Sequence, residues 1–463
     1  MTPRPGKVNI QTPEGRIGRD WTRGSILSNV IQLSWPMAVT QTLMMIGPTI
    51  DMIWVGKLGT AEIAAVGISG TVVQLGMGAM MGLTTGVRAL IARFIGAQDT
   101  ETANRVAQQA MTITAIYAIL TAIIGAFFSE RIISLVHPDP DVIRIGASYL
   151  RINFIGSAAV SFRMMMDAVM QASGDSINPM WMAVVYRTLH ILISPFLIFG
   201  LWIFPEMGVS GAATTAVISQ SVGVILGIRI LFGQKSRIRI SFKGFRFDTN
   251  LIWRIVRIGF PSLISGIQRN LNQFFLQIFI APFGTIALAS HTINQRIEMF
   301  MSMPSMSFGM GAGVLVGQNL GARQPQRAEK SAWLAVLLVE GLLVVMSLVL
   351  LIWTAPVIRI FNGEASLVNM AGNFLRIALI GYLFLGIGSV FMSSLQGAGD
   401  TIPTMIISIG TVWLITIPLA YYFHLQDGWG IYGIRWAMTA STVASALANF
   451  IYFRTGKWKT RIV

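Results

Sequence analysis

Charged side chains set inside long apolar runs are where this sequence could do chemistry. Asp51 lies in such a run, shortly after Gly47-Pro48. A carboxylate at membrane depth costs roughly 2.5–3.5 kcal/mol on insertion scales, so such a group faces a cavity or a partner. A carboxyl in that setting can pick up and release a proton, which makes Asp51 the first candidate for ion coupling. The plain alternative is an aspartate hydrated near the membrane surface. Arg163 and Asp167 stand four residues apart, a spacing that puts both on one helix face within pairing distance. They form either a static ion pair or a pair that breaks when a neighbouring cavity fills. His190 and Ser194 repeat that spacing just before Pro195. An imidazole changes charge near neutral pH, so His190 can join a proton relay with Asp51 or can simply bond a neighbouring backbone or hydroxyl group.

Further along, Arg269, Asn272 and Gln273 fall at helical spacing and suggest one wet face, or hydrogen bonds between helices. Glu298 follows Arg296 and is expected near an aqueous face, whereas Glu340 stands alone among Leu and Val. Met303 belongs to a run with Met299, Met301 and Met306, and Met164 to Met166 form a second. Flexible thioethers suit a cavity that accepts varied ligands, though the same residues can pack against lipid. The substrate-cavity candidates are therefore Arg163, Asp167, Ser194, Arg269, Asn272, Gln273, Glu298 and Met303.

Other chemistry is excluded. There are no cysteines, and His137, His190, His291 and His424 are too scattered for a metal site. No cofactor is expected beyond a coupling ion. No nucleophile motif or HExxH pattern supports an enzyme. The run Gly309-Met310-Gly311-Ala312-Gly313 follows no strand, so it reads as close helix packing and not as a phosphate loop.

The elements that position these residues follow from composition. Of 463 residues, 54% are hydrophobic and 11% charged. A soluble domain carries about 25% charged residues, so most of this surface must face lipid. Apolar runs long enough to cross a bilayer fall at about 28–56, 63–92, 106–134, 143–171, 178–203 and 208–232. A second set falls at 252–281, 286–318, 331–358, 367–396, 403–424 and 430–453. The fold expected is all-α and polytopic, with twelve transmembrane helices. It divides into a tail (1–25), a six-helix lobe (26–232), a basic linker (233–250), a second lobe (251–455) and a short tail (456–463).

A net charge of +15 could suggest nucleic acid, but its placement argues otherwise. Basic residues crowd both tails and the linker, among them Arg4, Lys7, Arg16, Lys235, Arg237 and Lys457. The opposite loops hold only Lys57, Arg131, Arg144 and Arg359. The positive-inside rule then puts both termini in the cytoplasm, with the chain in the cell membrane. The first tail lacks an apolar stretch and does not read as a cleaved signal.

The two lobes repeat one another. A shift of 225 residues lays Trp35-Pro36 on Phe260-Pro261, Leu58-Gly59-Thr60 on Phe283-Gly284-Thr285, and Gly96-Ala97 on Gly321-Ala322. It also lays Gln171-Ala172-Ser173-Gly174-Asp175 on Gln396-Gly397-Ala398-Gly399-Asp400. Six spans per unit bring both lobes in the same way up, so the pseudo-two-fold axis follows the membrane normal. The duplication already supplies two halves, so a monomer suffices.

These landmarks, with Asp51-Met52-Ile53-Trp54-Val55-Gly56 and Val316-Gly317-Gln318-Asn319-Leu320-Gly321-Ala322, are where the chain resembles the multidrug and toxic compound extrusion (MATE) family. The resemblance covers about 26–455 and favours the DinF-related branch. It implies two six-helix bundles around a central cavity, and export of small organic compounds driven by inward H⁺ or Na⁺. It also implies a coupling role for Asp51, which matches the acidic residue of the family's first helix. Many prokaryotic members carry Asn and Asp where this chain has His190 and Ser194, a departure that favours H⁺ over Na⁺. Arg269 stands where one branch has Glu, and 381–394 contains no acid, so coupling is expected in the first lobe. An excess of intramembrane arginines keeps a flippase of lipid-linked saccharides open as the alternative.

Overall fold

The computed structural model describes residues 19–135, 139–233, 236–425 and 429–461. Arg4, Lys7, Arg16, His137 and Lys235 lie outside the described residues. The first expected lobe contains α1 (Ile26–Val55), α2 (Thr60–Gly96), α3 (Thr100–Ser134), α4 (Pro140–Ile155), α5 (Ser157–Ala172), α6 (Ile177–Phe199) and α7 (Gly208–Leu231). The second contains α8 (Thr249–Ile280), α9 (Thr285–Gly321), α10 (Pro325–Ile352), the short α11 (Thr354–Arg359) and α12 (Ala365–Gly397). It ends with α13 (Thr401–Gly410), a π turn at Thr411–Thr416, α14 (Ile417–His424) and α15 (Gly430–Arg454). No strand occurs among the described residues.

Three expected spans are not single helices. The fourth divides into α4 and α5 at Gly156, where an added side chain would run into Val217 of α7. The close approach there needs glycine. The eleventh is wound wide between α13 and α14, where Thr416 donates to the Thr411 carbonyl at 3.2 Å, five residues back. The ninth ends at Ile352, and α11 carries it on.

Eight helices among the described residues are long and apolar enough to span a membrane by composition alone. The α4–α5 pair is too short in each half, and α1, α8 and α15 are too polar. The polar residues of those three helices turn inward, as at Ser34, Thr40, Gln268, Arg435 and Thr439, all buried. A helix of 30 residues such as α1 runs about 45 Å at 1.5 Å per residue. That exceeds the roughly 30 Å hydrocarbon core, so it tilts or protrudes.

Lipid tails are as apolar as leucine, so burial of apolar surface does not by itself hold such helices together; small residues and hydrogen bonds do. The two lobes are fastened this way at the end that carries the linker. Gly96 lies against the Gln318 backbone, and Gly321 against the Arg93 backbone. Deeper in, Gly86 meets Ile255 and Gly259, while Gly311 meets Ser34. Gly96 and Gly321, like Gly86 and Gly311, are mates under the 225-residue shift, so the pseudo-two-fold axis passes through this seam. The turns match as well. Gln98 and Arg323 are both left-handed, at φ 62° and 58°.

The lobes also exchange helices. The core around Leu90, Ile91, Met165, Val169 and Leu231 includes Ile255 and Ile258 of α8. The core around Leu315, Val316, Val339, Leu375 and Phe391 includes Val30, Leu33 and Met37 of α1. One half of the first helix of each lobe thus belongs to its neighbour's core. Both α1 and α8 contain an interior proline, Pro36 and Pro48 in one and Pro261 in the other. Proline lacks the N–H that would bond four residues back, so such helices bend there.

Candidate functional site

Pro48 determines what surrounds Asp51. Its missing N–H leaves the Met44 carbonyl, four residues earlier, without a helical donor. Arg187 of α6 supplies one, with Nη2 donating to Met44 O at 3.3 Å. Gly47 makes room, since any side chain there would meet the Arg187 guanidinium. One turn on, Asp51 faces the same helix. His190 Nε2 is 2.8 Å from Asp51 Oδ1, and the Ser194 hydroxyl donates to that oxygen at 3.2 Å. With its proton on Nε2, His190 donates as well. His190 and Ser194 are buried, while the Asp51 side chain keeps 14% of its surface. Tyr149 of α4 lies within electrostatic reach of the carboxylate.

The same network continues through Tyr186. Its ring is 5.4 Å from the Arg187 guanidinium and 4.9 Å from that of Arg163. Arg163 in turn pairs with Asp167 and donates through Nε to Gln220 of α7. Arg163 and Asp167 are both buried, at 1% and 5% exposure, so the pair is internal to the first lobe and does not line the seam. Arg88 is within electrostatic reach of Asp167.

A second group gathers in the other lobe. A cavity of about 100 Å³ is lined by Asn272, Gln273, Glu298, Tyr382, Thr416, Arg435 and Ser441, among others. Gln273 accepts a hydrogen bond from Gln295. Glu298 Oε2 is 3.8 Å from Arg435 Nη2, an ion pair longer than a hydrogen bond. Buried His291 is within electrostatic reach of Arg435 and has no hydrogen-bond partner on either ring nitrogen among the described residues.

The expected candidates therefore separate into places. Asp51, His190 and Ser194 come together across α1 and α6. Arg163 and Asp167 sit behind them. Asn272, Gln273 and Glu298 meet at the second-lobe cavity. Arg269 is exposed on α8, one turn from Asn272 and Gln273. Met303 is 9% exposed and meets Thr42 of α1 at 4.0 Å, so it belongs to the contact between lobes. Met165 and Met166 are core residues and do not form a cavity wall. Glu340 accepts from the Ile387 N–H at 2.6 Å and packs against Gly386, which ties α10 to α12. Sequence reasoning missed Tyr149, Gln220, Tyr382 and the part played by Arg435. The donor role of Arg187 was missed too, but it had a clue: Pro48 frees the Met44 carbonyl four residues earlier, and a freed buried carbonyl calls for a donor.

This is the fold of a two-lobe helical transporter, built into a membrane through long apolar spans. The MatE family model matches the chain twice, over residues 36–196 and 261–422, with starts separated by the same 225 residues as the repeat. The chain belongs to the MATE family. It is 24% identical over 92% of its length to the probable multidrug resistance protein YoeA of Bacillus subtilis, 93% of which is covered. It is also 24% identical over 95% of its length to the probable multidrug resistance protein NorM of Thermotoga maritima, 94% of which is covered. Among solved structures, a MOP superfamily transporter from Pyrococcus furiosus superposes with a TM-score of 0.88 at 22% identity, covering 94% of this chain and 96% of that one.

Proposed function

We propose that this chain is a proton-coupled antiporter that exports small organic compounds by alternating access. The observation that carries the reading is Asp51 held on Oδ1 by both His190 and Ser194, one turn from Pro48. The ionised carboxylate accepts both bonds and draws α1 against α6. Hydrogen bonds to a charged group contribute about 1.5–3 kcal/mol, and neutral ones about 0.5–1.5. Protonation of Asp51 therefore loosens α1 from α6 by roughly 1–1.5 kcal/mol per bond. A proton entering down 100 mV supplies about 2.3 kcal/mol, which is of the size needed.

Proton fits better than Na⁺, because an imidazole nitrogen stands where a hard cation would want oxygen. Two relatives named as probable multidrug resistance proteins support a drug-like cargo. The pattern of the first lobe suits the DinF-related branch. Both termini lie in the cytoplasm of a cell whose plasma or inner membrane holds the protein, as the basic tails and linker favour. The glycine seam then closes the cytoplasmic side, so the lobes would part on the opposite side. The protein works as a monomer and binds neither metal nor nucleic acid.

The deciding measurement is transport in proteoliposomes, under an imposed pH gradient and then a Na⁺ gradient, for wild type and Asp51→Asn. Drug movement driven by the pH gradient and lost in Asp51→Asn is expected. Movement driven only by Na⁺ sinks the proton reading. A second reading, a flippase of lipid-linked saccharides, is favoured by the guanidiniums of Arg88, Arg187, Arg269 and Arg435. Flipping of such a lipid without any gradient-driven drug transport would establish it.

A further inference from the structure

Arg435 is 3% exposed and lies against a cavity, yet its side chain is unsatisfied. Nη1 reaches only the Met438 sulfur, at 3.5 Å. Nε and Nη2 have no hydrogen-bond partner among the described residues. These two nitrogens form one edge of the guanidinium, with parallel N–H bonds that match the two oxygens of a carboxylate. Glu298 competes for that edge as an ion pair, with Oε2 3.8 Å from Nη2, beyond hydrogen-bond length, and its side chain is 37% exposed. The Tyr382 hydroxyl stands beside Arg435 and interacts with it, but at a geometry too loose to count as a full hydrogen bond. A buried donor left unmade costs about 1–3 kcal/mol, and more when charged, so this edge is held ready at a cost in stability.

We propose that the second-lobe cavity binds the carboxylate of an organic acid on the Nε–Nη2 edge of Arg435. The inference deepens the antiporter reading by naming a class of cargo. About 100 Å³ accommodates an acidic head group or several waters. The hydroxyls of Thr416, Ser441 and Tyr382 and the amides of Asn272 and Gln273 stand around it to complete the shell. Arg269 shares the helix face of Asn272 and Gln273, which puts a second positive charge along that face. When a ligand carboxylate arrives, Glu298 turns outward to solvent.

The test is equilibrium binding, without any gradient, to the full chain in phosphatidylcholine nanodiscs. The probes are a fluorescent aromatic monocarboxylate and its uncharged amide, followed by anisotropy. The acid should bind and the amide should not. Arg435→Gln should weaken the acid by at least about tenfold, as expected for loss of bonds to a charged group. Arg435→Lys should recover only part of that, because it keeps the charge and loses the fork. Glu298→Gln, at a partly exposed site that tolerates change, should tighten the acid by removing the competitor. Equal binding of acid and amide would overturn the proposal. So would a loss of binding in Glu298→Gln. Displacement of the probe by phosphatidylglycerol in the disc would also overturn it, and would assign the edge to a lipid head group. Because no gradient is applied, failure of proton coupling leaves this result standing, and failure of binding leaves coupling untouched.

Discussion

The two lobes share a helix plan and differ in how their buried charges are closed. In the first lobe Asp51 has two donors, Arg163 has a carboxylate and an amide, and Arg187 has a backbone carbonyl. In the second, Arg435 and Glu298 stop short of a hydrogen bond beside an open cavity. Under the 225-residue shift Asp51 falls on Leu276, which is fully buried in an apolar cluster. Duplication thus preserved the scaffold and not the buried charges. The first lobe holds its carboxylate Asp51 with two donors, and the second keeps Arg435 beside a cavity with Glu298 at 3.8 Å.

The largest effect should come from Asp51→Asn, which should reduce pH-gradient-driven export to background, while the counterpart change Leu276→Met leaves it near wild type. Transport surviving in Asp51→Asn would erase the contrast between lobes. Next in size is the cost of opening a closed pair. Asp167→Asn or Arg163→Met should each destabilise by about 3–5 kcal/mol, because each strands a buried charge or donor. Thermal unfolding in detergent should show this, and Glu298→Gln should show little. If both lobes respond alike, the ion pairs are equivalent and the comparison fails.

Arg187→Met should cost about 1.5–3 kcal/mol of interaction at the α1 bend, since it removes a charged donor from the Met44 carbonyl. Slower transport with Asp51 still essential is the expected readout. The smallest effect belongs to the matching turns of the seam. Asp99 accepts from the Thr102 N–H at 2.9 Å and caps α3, and that bond holds its carboxyl below the usual range. Its mate under the shift, Gln324, makes no side-chain cap on α10. Asp99→Ala should cost about 1 kcal/mol and Gln324→Ala almost nothing. The Asp99 contribution should be present above the ordinary aspartate pKa and fade as pH falls through its lowered folded value.

Much of this was legible in the chain itself. Long apolar runs, the asymmetry of basic residues and the repeat all follow from solvation in lipid, which acts on each segment separately. The cost of burying a charge singled out Asp51, Arg163 and Asp167 for the same reason. The i, i+4 spacing foretold the Arg163–Asp167 pair, because helix geometry alone brings those side chains together. The breaks at Gly156 and Thr411–Thr416 were not legible, since an uninterrupted apolar run does not record where neighbours intrude.

What only the tertiary structure decided is which charge meets which. Asp51 and His190 are 139 residues apart, Glu298 and Arg435 nearly as many, and no period links them. Their meeting depends on where α1 packs against α6 and on where α9 and α15 pack against α12. The sequence determined the membrane, the two lobes and the residues costly enough to need a partner. Packing between helices determined that Asp51 found its partners, and that one edge of Arg435 did not.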